Sequence, residues 1–394
     1  MAFKQLFISA LAASSLALAK DDSKCKDVTI KSQGDVSDLS SCSTIKGDLT
    51  IDKSVAGELN LEGVKKIEGS LKAEGATNIT SFTANDLKEI GDSFTLTSLT
   101  QMTNLELGNL EKVGSIDFEA LPALQMLGFH KGVKSAGKLL ITNTGLTSLE
   151  GISLETVGSI DVNNNNKLAE INVNEIKNIT GLASFSANNK RLEIIFPNLK
   201  SAQNMTFRNL SKVELPSLKK TDGLLGFYSN SFTSLSAPNL TSTGDLVFTS
   251  NPNLMNMSLP KLTKVDGVYQ VANNTHLRSV TGVSALESVN AIDFAGNFSK
   301  VDLPKLKEVS GDFNLQATND VGCDKLSKDI KENVEGQFTC KEKIADPKTS
   351  KGSDSGSASK TSSGSSPTET NGAVAVANAA SLGLVAAIVG AMVL

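Results

Sequence analysis

A glycine that returns every 21 to 23 residues constrains this chain more than any other feature. It stands at Gly47, Gly69, Gly91, Gly114, Gly137, Gly158, Gly181, Gly223, Gly244, Gly267 and Gly311. Two intervals are double length, 42 and 44 residues, and each hides one more copy with Gln203 or Asn290 in the glycine slot. The chain is therefore about a dozen copies of one short unit. A unit of this size cannot bury its own apolar face, so it folds by stacking on its neighbours.

The alternation inside each copy says what the unit is. After the glycine comes an apolar-x-apolar triplet: Leu49-Ile51, Leu71-Ala73, Phe94-Leu96, Ile116-Phe118, Ile160-Val162, Met205-Phe207, Leu246-Phe248, Ile292-Phe294 and Phe313-Leu315. Period two predicts a short strand with one face buried. Some ten residues on, a second apolar pair often closes in Pro-x-Leu, and six of the nine prolines fall in this slot (Pro122, Pro197, Pro216, Pro238, Pro260, Pro304). Proline cannot donate to a ladder, so it marks where the chain leaves the second strand and turns. A third apolar residue precedes the next glycine, as at Ile67, Ile90, Val113, Val157, Val265 and Val309.

Three flat segments and three corners per copy predict one rung of a coil. The expected fold is all-β, a right-handed β-helix or solenoid over residues 45–318, whose rungs, about 4.8 Å apart, make a rod on the order of 60 Å long. A leucine-rich-repeat horseshoe is the nearest rival on period, but it wants a denser Leu-x-x-Leu-x-Leu frame.

Residues 1–19 stand apart. Lys4, the apolar run Leu6 to Leu18, and Ala17-Leu18-Ala19 compose a secretory signal peptide cut after Ala19. Outside the cell, cysteines are read as bridges. Of the three possible pairings, only Cys25–Cys42 with Cys323–Cys340 closes a local loop at each end of the rod, within caps spanning 20–44 and 319–345. Solenoid ends expose strand edges and apolar faces, which such caps cover. Metal ligation is the other use of cysteine, but there is no C-x-x-C and only two histidines. A helix is expected from Asp324 to Val334, with Leu326, Ile330 and Val334 on one face.

From Asp346 the pattern stops. Residues 346–371 form a Ser/Thr-rich stalk that cannot make a core. Asn371-Gly372-Ala373, a spacer, and the apolar Leu382 to Leu394 compose a GPI-attachment signal, with Asn371 as the attachment residue and 372–394 as the removed propeptide. A single-span anchor is the alternative, but no Lys or Arg follows the tail.

The approach to the first rung, Leu39-Ser40-Ser41-Cys42-Ser43-Thr44-Ile45-Lys46-Gly47-Asp48-Leu49-Thr50-Ile51, resembles the opening of the receptor L-domain. The whole chain, with signal, repeats, stalk and tail in this order, resembles the fungal GPI-anchored proteins of the extracellular-mutant and sporulation-specific wall family. That resemblance implies a role in cell-wall organisation and integrity. It brings no catalytic residues with it.

Two columns of the repeat have a structural and a functional reading. Phe185, Phe207, Phe227, Phe248, Phe294 and Phe313, with Phe118 earlier, recur at one rung position and are expected to stack in the core rather than offer a sugar platform. Asn188, Asn230, Asn251, Asn274 and Asn297 follow the strand by three residues, and are expected to turn corners by adopting αL or bonding their own backbone. Asp48, Asp92, Asp245 and Asp312 follow the glycine, where a solvated turn is expected.

Eight asparagines head N-x-S/T sequons: Asn78, Asn178, Asn204, Asn209, Asn239, Asn256, Asn273 and Asn297. Glycans are expected on corners rather than in strands. None falls between 79 and 177, so partner contact is expected in those rungs, with exposed His130 and Lys131 as candidates.

Catalysis finds no motif: no Gly-x-Ser-x-Gly, no metal triad and no phosphate loop. Catalytic, cofactor and metal residues are accordingly none. A net charge of −4 argues against nucleic acid. The reading is a GPI-anchored glycoprotein of the cell surface or wall, partnered by the plasma membrane through its lipid and by wall glucan or other wall proteins. A receptor-like ligand binder and a wall-glycan remodelling enzyme are the alternatives.

Overall fold

The computed structural model describes residues 22–171 and 173–350, so the signal peptide, most of the stalk and the Asn371 attachment signal lie outside the described residues. The coil forms one compact unit ending at Thr349. It has about 14 turns, more than the dozen counted from glycines, because both caps contribute strands of the coil itself. Lys26–Ile30 pairs in parallel with Thr44–Ile51, and Phe338–Lys341 pairs in parallel with Phe313–Ala317. The coil thus starts before residue 45 and ends after 318.

Each turn has three sides. The first carries the triplets in one continuous register, and the third, with its lone Val or Ile, runs into the first, so the two share one parallel sheet of 19 strands. Longer strands such as Glu89–Thr97 and Lys264–Ala272 span both sides through a register shift. The second side is a set of shorter parallel ladders of three, four and two strands, and each strand of the four-stranded ladder ends just ahead of a Pro-x-Leu turn.

The repeated glycine sits at that register shift, and close approach explains it. A Cβ on Gly91 would lie 2.0 Å from the Glu68 carbonyl oxygen, and one on Gly158 would lie 2.3 Å from that of Gly137. Successive turns bring backbone against backbone there, leaving no room for a side chain. The shift also leaves an amide that the ladder does not pair, and the residue after the glycine supplies the acceptor. Asp48 Oδ1 accepts from Ser70 N (2.8 Å), Asp245 Oδ1 from Val268 N (2.7 Å) and Asp312 Oδ1 from Gln337 N (2.8 Å). These three carboxylates tie one turn to the next while remaining partly or fully exposed, so each has a role between turns in addition to its place at the surface.

All three sides feed the core, and the first contributes two columns of side chains to it, with one ring per turn in many turns. Phe185, Phe207, Phe227 and Phe248 stack at centroid spacings of 5.9, 5.3 and 4.9 Å, all fully buried. Phe313 does not belong to this column: it pairs with Ile292, while Leu315 pairs with Phe294. Where Val271 interrupts the stack, Tyr269 fills the other column and meets Phe294 edge-on at 4.9 Å. The ring changes column while the interior volume per turn is kept, which close packing demands.

Asparagine turns the first corner, but not by adopting αL. The left-handed residue is the one before it: Ala187, Ser229, Ser250 and Asn273 have φ of 51°, 54°, 57° and 57°. Asn165, Asn188, Asn230, Asn251 and Asn274 are instead buried inside the corner. Asn251 Nδ2 donates to Phe227 O and Asn274 Oδ1, while its Oδ1 accepts from the backbone and side-chain amides of Asn230. Asn297, only partly buried, bonds Thr318 Oγ1 and Thr275 O.

The two ends close differently from the middle. Helix Gln33–Asp38 drops Val36 onto the open core, and Gln33 bonds both the amide and the carbonyl of Asn60, standing in for a missing turn. At the other end the helix is Cys323–Ile330, burying Leu326 and Ile330, followed by a 3-10 turn over Lys331–Asn333. Val334 is not on its face; it has left the helix to bridge Val309 in the coil. Glu342 Oε2 accepts the amides of Val321, Gly322 and Cys323 at the helix start. Both disulfides, Cys25–Cys42 and Cys323–Cys340, are formed as expected.

Candidate interaction surface

Because the apolar columns point inward, the surface is what the exposed positions of each turn present. The phenylalanines expected in the core are fully buried, so they offer no stacking platform. Among the described residues no group of three or more His, Cys, Asp or Glu is placed to hold a metal. A cleft of about 220 Å³ lies at the N-terminal cap, lined by Gln33, Val36, Ser37, Ser40, Asn60 and Glu62. Gln33 and Asn60 there are already committed to each other.

The sequon asparagines are distributed over every side of the coil. Asn78, Asn178, Asn209, Asn256 and Asn273 are exposed, and Asn204, Asn239 and Asn297 are half-buried. Asn209 and Asn273 are αL corner residues. Corners do not hold them all. Asn204 lies within the strand Ser201–Arg208, where its Oδ1 accepts from Leu224 N, and Asn78, Asn178 and Asn256 begin strands. Asn239 Nδ2 donates to Pro216 O and Asn297 Nδ2 to Thr275 O, so those two amides are engaged before any modification.

In the sequon-free turns, His130 and Lys131 are exposed as expected, 71% and 51% by side chain. They are not free charges: His130 Nε2 meets Glu106 Oε1 at 2.8 Å, and Lys131 Nζ meets Glu111 at 3.6 Å. Their neighbour Met126 is 72% exposed, a feature the sequence reading passed over because it sits outside the alternating triplets. A second signal missed from sequence is a cation–π pair on the outer face of the sheet. Tyr228 folds over Gly226, Arg208 stacks on its ring at 4.0 Å, and burial pushes the phenol above its ordinary range.

The repeats match the profile of BspA-type leucine-rich repeat regions, in six copies over residues 88–214 and 184–301. The leucine-rich frame set aside on motif density is thus a relative of this one, although no helix occurs between Thr44 and Ala317 among the described residues. Over 352 residues the chain is 49% identical to a cell surface GPI-anchored protein of Arthroderma benhamiae, covering 89% of this chain and 90% of that one. It is 46% identical over 368 residues to protein ecm33 of Aspergillus fumigatus, covering 93% and 92%. The chain belongs to the Ecm33 family. A further member, cell surface GPI-anchored protein ECM33 of Candida albicans, is 30% identical over 326 residues, 81% of this chain and 79% of that one. No solved structure matches the chain significantly. Family membership agrees with the resemblance drawn from the repeats, the stalk and the tail.

Proposed function

We propose that this chain is a GPI-anchored glycoprotein of the cell surface or wall that organises the wall as a non-enzymatic structural or interaction component. The observation that carries the reading is identity of 49% and 46%, over about nine tenths of both chains, to proteins named for surface anchoring and for Ecm33. A stiff rod whose apolar side chains are almost all committed to its own axis supports a scaffold. In this reading residues 1–19 direct secretion, Asn371 receives the anchor, the sequon asparagines carry glycans, and wall glucan or other wall proteins are the partners.

Truncation after Thr370 tests it in a cell lacking the gene product. The truncated chain is expected in the medium, folded, without restoring wall integrity, whereas the full chain restores it. Full rescue by the released form would overturn the anchored scaffold. A receptor-like reading draws on the exposed Met126 and His130 in the sequon-free turns. Charge reversal or truncation at that surface, with the anchor intact, would then abolish function.

A further inference from the structure

Just ahead of the third side, one residue of each turn donates its backbone amide to the equivalent residue of the turn before, making a column along the rod. Across Glu111, Lys134, Glu155 and Lys177 the signs alternate and the cations pair: Lys134 Nζ to Glu111 at 3.7 Å and Lys177 Nζ to Glu155 at 3.1 Å. Farther along, Lys307 pairs with Glu287 at 2.9 Å. Between these stretches the alternation fails. Lys177 is followed by Lys200 and Lys219, joined amide to carbonyl at 2.8 and 2.9 Å, with Lys220 beside them. All four are exposed. Lys177 is held by Glu155 and Lys220 by Asp222, but neither Lys200 nor Lys219 has a carboxylate within ion-pair distance among the described residues.

Like charges one rung apart, about 4.8 Å, repel one another, and in ladders such neighbours destabilise. From Glu111 to Glu155 the same column uses glutamate to avoid this. Two adjoining lysines without a carboxylate partner, extending a third that has one, in a chain of net charge −4 make a local excess of positive charge that suits an external anion. We propose that Lys177, Lys200 and Lys219 form a binding stripe for a linear anionic polysaccharide, carrying a carboxylate or phosphate on successive sugars and lying along the rod axis.

The shape of the stripe selects a thin chain over a flat surface. Its neighbours in the next column are the uncharged Asn178 and Ser201, bonded to each other at 2.8 Å, and then Lys220, which Asp222 neutralises at 3.0 Å, so the stripe stays narrow. Sequons at Asn178 and Asn239 border it, and glycans there would hold off a membrane while leaving an axial track open. Lysine suits the task, since its ammonium acts as a point charge that accepts many anion geometries. Lys65 and Lys88 also adjoin in the column, but between Ser43 and Glu111 they make a run of two lysines rather than three, so they serve as an internal control. The inference rests on the extracellular placement proposed above, and its test does not depend on the anchor.

Binding of the secreted chain, truncated after Thr370, is measured to polygalacturonate, with dextran as the neutral arm and phosphatidylserine vesicles as the membrane arm. The expected result is binding to polygalacturonate that weakens with added salt and is absent on dextran. Lys200→Glu with Lys219→Glu is expected to weaken it at least ten-fold, and Lys65→Glu with Lys88→Glu less than two-fold. Thermal melting checks each fold, and Lys200→Gln with Lys219→Gln replaces the reversal if it fails to fold. No binding by the unaltered chain, equal loss from both pairs, equal binding to dextran, or binding to vesicles alone would each overturn the proposal.

Discussion

Replacing Asn251 with leucine removes the middle of the buried asparagine ladder while keeping a side chain of comparable size in the corner. In the native chain Asn251 is fully buried; its Nδ2 reaches Phe227 O at 3.0 Å and its Oδ1 takes the Asn230 backbone amide at 2.9 Å. Leucine strands that amide and that carbonyl. Asn230 Nδ2 keeps Phe207 O at 3.0 Å, and Asn274 Oδ1 keeps the backbone amide of residue 251 at 2.9 Å, so the loss is confined to about two groups. At roughly 1–3 kcal/mol for each buried polar group left unpaired, the expected cost is about 4 kcal/mol. Asn253→Ala is the control, because Asn253 makes one exposed bond, to Ser231 O at 3.1 Å, whose loss should cost about 0.5–1 kcal/mol. Urea unfolding of the secreted chain gives both values. Hydrogen exchange should place the damage at Asn230 and its neighbouring turns, since repeat arrays open locally. Equal costs for the two variants would refute the claim that the ladder, rather than the αL residue before it, holds the corner.

Gly91→Ala is expected to cost about 3 kcal/mol, since its Cβ would meet a backbone oxygen at 2.0 Å, and more than Gly137→Ala, whose contact is 3.1 Å; equal melting shifts would dismiss close approach as the reason for the glycine. Tyr269→Phe should leave stability unchanged or raise it by about 1 kcal/mol, because the hydroxyl is buried without a hydrogen-bond partner among the described residues and burial drives its pKa upward; a clear loss in a urea titration would contradict this. The Lys72 ammonium, and then the Ser70 amide, hold the Asp48 carboxyl below its ordinary range, so its stabilisation is complete above the unfolded pKa and fades as pH falls through the lower folded value. Protection of the Ser70 amide should fall over that acid window, and Asp48→Asn should remove the dependence.

Much of this fold was readable in the residues because a stacked coil repeats its constraints. Period two in the triplets, a lone Val or Ile, and Pro-x-Leu in a fixed slot each reflect local chemistry that every turn meets again. The cysteines were equally legible, since only one pairing closed a loop at each end. What misled was anything decided between turns. Phe313 reads as the next ring of its column by spacing, but the register with Ile292 assigns it to the other. Asn251 reads as a turn residue, yet its role is to bond the turns on either side. The aspartates are as open to solvent as they read, but their bond to the next turn was hidden, because its donor, an amide left over by the register shift, does not exist until two turns are stacked.

The sequence by itself determined the repeat, the three-sided rung, the buried face of each strand and the disulfides, because these depend on side-chain period and on residues close in the chain. Only the tertiary structure decided which ring sits above which, why the glycine tolerates no side chain, and where like charges fall side by side. Those properties belong to contacts about 20 residues apart in sequence and one rung apart in space, so a shift of a residue or two in any turn, invisible to the period, rewrites them.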